Sequence, residues 1–117
     1  MSVPRLLFIC SYNIARSRTA ENLLIGSCEY EVESAGFIMD KGSGQLVTQA
    51  LIDWADIIFL MDEDTDHHLT LLTKNFSLKY KKAIILGIPN IYRPGDPILI
   101  RLLREKLALC GISFKST

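Results

Sequence analysis

A cysteine and an arginine six residues apart, Cys10 and Arg16, mark the point where the apolar run Leu6-Leu7-Phe8-Ile9 stops and an amphipathic stretch begins, and Ser17 follows directly. These residue types do chemistry on an oxyanion. A thiolate is a nucleophile, a guanidinium binds two phosphate oxygens at once, and a hydroxyl donates to the thiolate. They converge on one anion only if Ser11, Tyr12, Asn13, Ile14 and Ala15 curl into a loop with their N–H groups inward. No glycine lies between Cys10 and Arg16, so Asn13 is expected to take the left-handed conformation that so tight a loop requires. Such a cradle is what a cysteine-dependent phosphatase needs.

The demand on the thiol can be weighed. An ordinary thiol of pKa about 8.5 is only about 3% ionised at neutral pH, and bringing it near 5 takes roughly 5 kcal/mol. A helix N-terminus contributes about 0.3–1 kcal/mol and at best ~2. Loop N–H groups, Arg16 and the Ser17 hydroxyl must supply the rest.

The elements that would hold this loop follow from the hydrophobic pattern. Arg5 to Cys10 reads as a strand buried on both faces, and from Arg16 the positions Ala20, Leu23, Leu24 and Ser27/Cys28 trace a helical stripe. Glu29 to Ser34 alternates like a half-buried edge strand, ended by Ala35-Gly36. Asp40 to Gln45 is a loop, and Leu46, Ala50, Leu51 and Trp54 form a short helical stripe. Ile57 to Met61 is a second apolar strand. The acidic cluster Asp62 to Asp66 then opens a helix through Leu69 and Leu72, its charges read as complements to the helix dipole. Ala83 to Ile88 is the last strand, Pro89 to Gly95 a loop, and Asp96-Pro97 starts a final helix along Leu99, Leu102, Leu103, Leu107 and Cys110, closed by Gly111. Strands alternating with helices imply an α/β fold: a four-stranded parallel sheet with helices on both faces, a three-layer, flavodoxin-like topology. Ligands in such sheets bind beyond the carboxyl ends of the strands, where strand order reverses.

Composition removes several function classes. Lys+Arg and Asp+Glu both number 13, so no basic excess points to nucleic acid, and no nucleic-acid partner is expected. The longest apolar runs fall far short of the ~20 residues of a membrane helix, and the N-terminus makes a poor signal peptide, so no membrane partner and a cytoplasmic location are expected. Three cysteines without C-x-x-C spacing indicate neither a disulfide framework nor a zinc site, and Cys28 and Cys110 read as buried small apolar residues. His67 and His68 read as helix-surface residues, because adjacent helical positions cannot share one metal face.

The loop resembles the signature Cys-x-Gly-Asn-x-Cys-Arg-Ser of the low-molecular-weight protein tyrosine phosphatases, matched at Cys10, Asn13, Arg16 and Ser17. Further matches follow in the same order: Thr19-Ala20-Glu21, Ser34-Ala35-Gly36, Ala55-Asp56 and Asp96-Pro97. The resemblance implies a single low-molecular-weight phosphatase-like domain over residues 1–117, without metal or cofactor. It also implies that Cys10 attacks phosphorus to form a phosphocysteine, that Arg16 binds phosphate and stabilises the transition state, and that Asp96 protonates the leaving oxygen. Ser11, Tyr12, Asn13, Ile14, Ala15, Arg16 and Ser17 would bind the phosphate. The expected partners are a phosphorylated protein or small aryl phosphate, with inorganic phosphate or another oxyanion held in the loop. Tyr12 and Ala15 replace the signature's glycine and second cysteine, and Ile98-Leu99 replace an aromatic pair that grips a phosphotyrosine ring. Tyr12 and Tyr92 could line a different rim.

Asp96 has a competing role, since Asp followed by Pro is a good N-cap and N1 pair. Three other functions use related residues. A phosphate- or phosphoprotein-binding module keeps the cradle without turnover. An arsenate reductase needs two more cysteines near Cys10, and a phosphocysteine carrier of a sugar phosphotransferase system has no need of Arg16.

Overall fold

The structure is a computed structural model and describes residues 3–114. Strand β1, Arg5–Cys10, is buried at every position but its first and occupies the interior of the sheet. It pairs in parallel with β2, Glu31–Gly36, on one side and with β3, Ile57–Leu60, on the other, while β4, Lys82–Ile85, lies beyond β3. The order is β2-β1-β3-β4. The connections leaving β1, to β2, and β3, to β4, therefore depart in opposite directions, and the carboxyl ends of β1 and β3 border the crevice where ligands bind in such sheets.

The period-2 geometry of β1 sorts its side chains into two cores. Leu6, Phe8 and Cys10 face helices α1, Arg16–Leu24, and α4, Pro97–Leu109, and Phe8 stacks on Phe59 with ring centroids 5.3 Å apart. Leu7 and Ile9 face helices α2, Gln49–Trp54, and α3, His68–Asn75, through Ile52 and Leu72. A run apolar on both faces is thus a strand covered on both faces, as the pattern predicts. Among the described residues no helix is long and apolar enough to cross a membrane.

Several boundaries differ from the expectation. Helix α1 stops at Leu24, where Ile25 turns extended and Gly26 takes a φ of 85°, so Cys28 lies beyond it. Cys28 and Cys110 are both exposed rather than buried. Strand β2 runs two residues later than expected and is an edge strand, whereas β4, expected over Ala83 to Ile88, is a half-buried second edge that spans only Lys82–Ile85. Helix α3 starts only at His68, so the acidic cluster precedes it rather than forming its first turn. Helix α4 keeps its predicted ends, with Asp96 as N-cap, Pro97 in the first turn and Gly111 at φ 88°.

Candidate active site

Residues 11–15 connect β1 to α1 in a loop tied to its surroundings through two of its carbonyls. The Ser11 carbonyl accepts from the N–H groups of Phe37 and Ile38, and that of Asn13 accepts from Gly44. Among the described residues, none of the N–H groups from Ser11 to Ala15 donates within the protein. They lie next to a helix N-terminus, a place that favours an anion, and are free to donate to one. Asn13 has a φ of 52°, the left-handed conformation expected of it.

The Asn13 side chain ties the loop to its surroundings. Its Oδ1 accepts from Gln45 N at 2.9 Å, and its Nδ2 donates to Ser17 Oγ at 2.8 Å and to Ser34 Oγ at 3.0 Å. Ser34 in turn donates to Glu21 Oε1 at 2.6 Å. Because Ser17 Oγ already accepts from Asn13, its own proton can point at Cys10 Sγ, 3.0 Å away. The thiol is only 3% exposed, at the base of the loop. Gly36 and Gly44 make room for this packing. A Cβ on Gly36 would lie 2.7 Å from Asn13 N and 2.8 Å from Ser11 O, and one on Gly44 would lie 2.1 Å from Asn13 Oδ1.

Arg16, expected from the spacing to reach the loop, is 1% exposed. Its Nη1 donates to Ile88 O at 2.8 Å and lies 2.8 Å from Asp66 Oδ2, while its Nη2 reaches Ser11 Oγ at 3.5 Å. The acidic cluster is therefore more than a dipole complement. Asp62 Oδ2 accepts from Thr65 N and Asp66 N, folding a turn that delivers Asp66 to Arg16, and Glu63 Oε1 accepts from Leu69 N and Thr70 N at the start of α3. Burial pushes the Asp62 carboxyl up, but the N–H groups of Asp66 and Thr65, with the Arg16 charge beyond them, outweigh it and hold it below the usual value.

His68 is the largest departure from the sequence reading. It is wholly buried, not on a helix surface. Its Nδ1 accepts from Asp62 N at 3.0 Å, so in the neutral ring Nε2 carries the proton and donates to Ser11 Oγ, also at 3.0 Å. Burial, followed by the Arg16 charge, lowers its pKa to about 4 against the pull of Asp66, Asp62 and Glu63. His67 beside it is exposed, with a φ of 57°.

A cleft of about 260 Å³ opens above the loop, lined by Cys10, Tyr12, Arg16, Tyr92 and Arg93 among others. Ile14 and Ala15 also line it. Asp96 does not. Its Oδ1 accepts from Ile98 N at 2.8 Å as the N-cap of α4, three residues beyond Arg93. The loop that joins them is pinned to α1 by Gly95 N donating to Thr19 Oγ1 at 3.1 Å. Cys28 lines a different and larger cleft, of about 410 Å³, at the far end of α1. Cys110 closes α4, roughly 20 Å of helix away from Asp96. Neither cysteine is brought to Cys10.

No family model matches the chain, and no curated relative does. Solved structures match it over nearly its whole length. Wzb from Vibrio vulnificus, in complex with benzylphosphonate, is 22% identical with a TM-score of 0.74, over 94% of this chain and 98% of the other. SP-PTP, a low-molecular-weight protein tyrosine phosphatase from Streptococcus pyogenes, is 18% identical with a TM-score of 0.70, over 97% and 95% of the two chains. A thioredoxin-dependent arsenate reductase from Corynebacterium glutamicum is 18% identical with a TM-score of 0.65, over 93% of this chain but 61% of the other. The fold is that of the low-molecular-weight protein tyrosine phosphatases.

Proposed function

We propose that the chain is a metal-independent, cysteine-dependent phosphatase acting on phosphotyrosine-like aryl phosphomonoesters. One observation carries the reading: Cys10 Sγ receives the Ser17 hydroxyl at 3.0 Å beneath a loop of uncommitted N–H groups flanked by buried Arg16. Phosphate oxygens would take those N–H groups, and the guanidinium would follow their charge into the pentacoordinate transition state. The thiolate attacks phosphorus, the ester P–O bond breaks, and the departing oxygen leaves with a proton for which Asp96 is the proposed donor. Water then attacks the phosphocysteine, the P–S bond breaks, and inorganic phosphate and the thiolate are regenerated. Asn13 and Ser17 hold the loop and the sulfur. Tyr12 and Tyr92 stand in the cleft wall where an aromatic leaving group would lie, which favours aryl over alkyl esters.

The purified chain should hydrolyse an aryl phosphate in the presence of a chelator, and Cys10→Ser should abolish turnover. Unchanged turnover in that variant sinks the mechanism. A second reading, an oxyanion- or phosphoprotein-binding module, is favoured by one observation: the Asp96 carboxylate is engaged as a helix cap outside the cleft. Tight vanadate binding without turnover would select it. Arsenate reduction by a thiol relay within the chain has no support from the placement of Cys28 and Cys110.

A further inference from the structure

We propose that Asp66 is a positioning residue for Arg16, holding the guanidinium by one edge so that its other edge faces the anion; this rests on the phosphatase reading. Arg16 Nη1 donates a hydrogen bond to Ile88 O at 2.8 Å and forms an ion pair with Asp66 Oδ2, also at 2.8 Å, whose buried oxygen takes no aligned hydrogen bond among the described residues. The edge formed by Nε and Nη2 has one long contact, 3.5 Å to Ser11 Oγ at the mouth of the loop. A hydrogen bond and an ion pair on Nη1 restrict the turning of the planar guanidinium, and its free edge would then offer two parallel N–H groups to two phosphate oxygens. Arg16 is almost wholly buried and the Asp66 side chain is 19% exposed, so water screens the pair only weakly.

The turn that carries Asp66 is itself gripped. Asp62 Oδ2 accepts from Asp66 N at 2.7 Å and from Thr65 N at 2.9 Å, and His68 is clamped between Asp62 N and Ser11 Oγ. Between them His67 holds a left-handed φ of 57°, which costs a non-glycine residue about 1–2 kcal/mol. Seven residues after β3, Asp62 to His68, six of them with ionisable side chains, thus form one device whose inner end touches both the arginine and the first residue of the loop.

A carboxylate beside Arg16 also lowers the positive potential felt by a bound anion. Asp66 therefore works against ground-state affinity while favouring the oriented transition state, and this combination distinguishes positioning from simple stabilisation.

The test compares wild type, Asp66→Asn and Asp66→Ala as full chains, reading kcat and KM on an aryl phosphate, inhibition by phosphate and by vanadate, and the melting temperature. In both variants kcat is expected to fall about 10- to 100-fold and the preference for vanadate over phosphate about tenfold, with phosphate affinity unchanged or tighter. A rise in kcat/KM would make Asp66 a competitor of the substrate and overturn the proposal, as would unchanged kinetics. Equal weakening of both inhibitors alongside a lowered melting temperature would reduce Asp66 to a structural pair. A wild-type chain without turnover refutes the phosphatase reading, and the phosphate-to-vanadate comparison, made by direct binding, still decides Asp66.

Discussion

His68 Nε2 lies 3.0 Å from Ser11 Oγ, joining the residue that opens α3 to the residue that opens the β1–α1 loop, 57 positions apart. The imidazole is neutral in the folded chain, because burial and the neighbouring Arg16 charge lower its pKa to about 4, against 6.5 for the free side chain. Asp66, Asp62 and Glu63 face it as well and only partly offset this. The unfolded chain takes up a proton below pH 6.5 that the folded chain does not take until about pH 4. Stability therefore falls on acidification across that window, by about 3 kcal/mol for the 2.5-unit difference. In His68→Asn, where the amide oxygen can replace Nδ1 as acceptor, urea unfolding measured from pH 4 to 7 is expected to lose that slope. An unaltered slope would place the acid sensitivity elsewhere.

Gly36→Ala sets a Cβ against backbone rather than side chain, 2.7 Å from Asn13 N and 2.8 Å from Ser11 O and Tyr12 C. The loop must open to admit it. The expected outcome is a stability loss of roughly 1–3 kcal/mol and phosphate binding weakened more than about tenfold. Gly44→Ala instead meets Asn13 Oδ1, at 2.1 Å, and should swing out the side chain that supports Ser17. Turnover is expected to fall while phosphate still binds. Calorimetric phosphate titration of both variants checks this, and wild-type affinity in Gly36→Ala would refute the close approach.

Tyr92→Ala tests the rim. Buried aromatic contacts contribute about 0.5–1.5 kcal/mol, so KM for aryl phosphates is expected to rise roughly 2- to 10-fold while an alkyl phosphate is unaffected. Parallel changes for both substrates would remove Tyr92 from leaving-group recognition.

What could be read from the sequence was local. Cys10, Asn13, Arg16 and Ser17 fall within eight residues, and their spacing between a doubly buried strand and a helix limits the loop to few shapes. The Asp96-Pro97 cap is equally local. Asp66 and His68 reach the site only through the pairing of β1 with β3, which brings the two following loops together. Adjacent histidines on a helix cannot share a metal face, but that argument does not address burial, and α3 begins so late that His68 turns inward while His67 stays outside. The reversal of strand order beside β1 was the signal available: it directs attention to the acidic turn after β3 as much as to the loop after β1. The exposure of Cys28 and Cys110 had no such signal, because a lone cysteine carries no periodicity.

Asp96 holds two proposed roles that substitution can separate. As N-cap its Oδ1 accepts from Ile98 N at 2.8 Å, a bond that asparagine makes equally well and alanine cannot make. Asp96→Asn should therefore leave the melting temperature near wild type, whereas Asp96→Ala should lose about 1 kcal/mol. As general acid it must give up a proton, which asparagine cannot do. Both variants should then lose about 10²- to 10⁴-fold in kcat on esters of poor leaving groups and far less on a nitrophenyl ester, whose leaving oxygen needs no proton. The carboxylate follows Arg93 of the cleft wall by three residues, on a loop held to α1 by Gly95 and Thr19, and a general acid there would have to exchange the Ile98 N–H for the leaving oxygen. Rates for the two variants across a series of leaving groups decide between the roles: a loss that steepens with leaving-group basicity makes Asp96 the acid, and a uniform loss leaves it as the cap of α4.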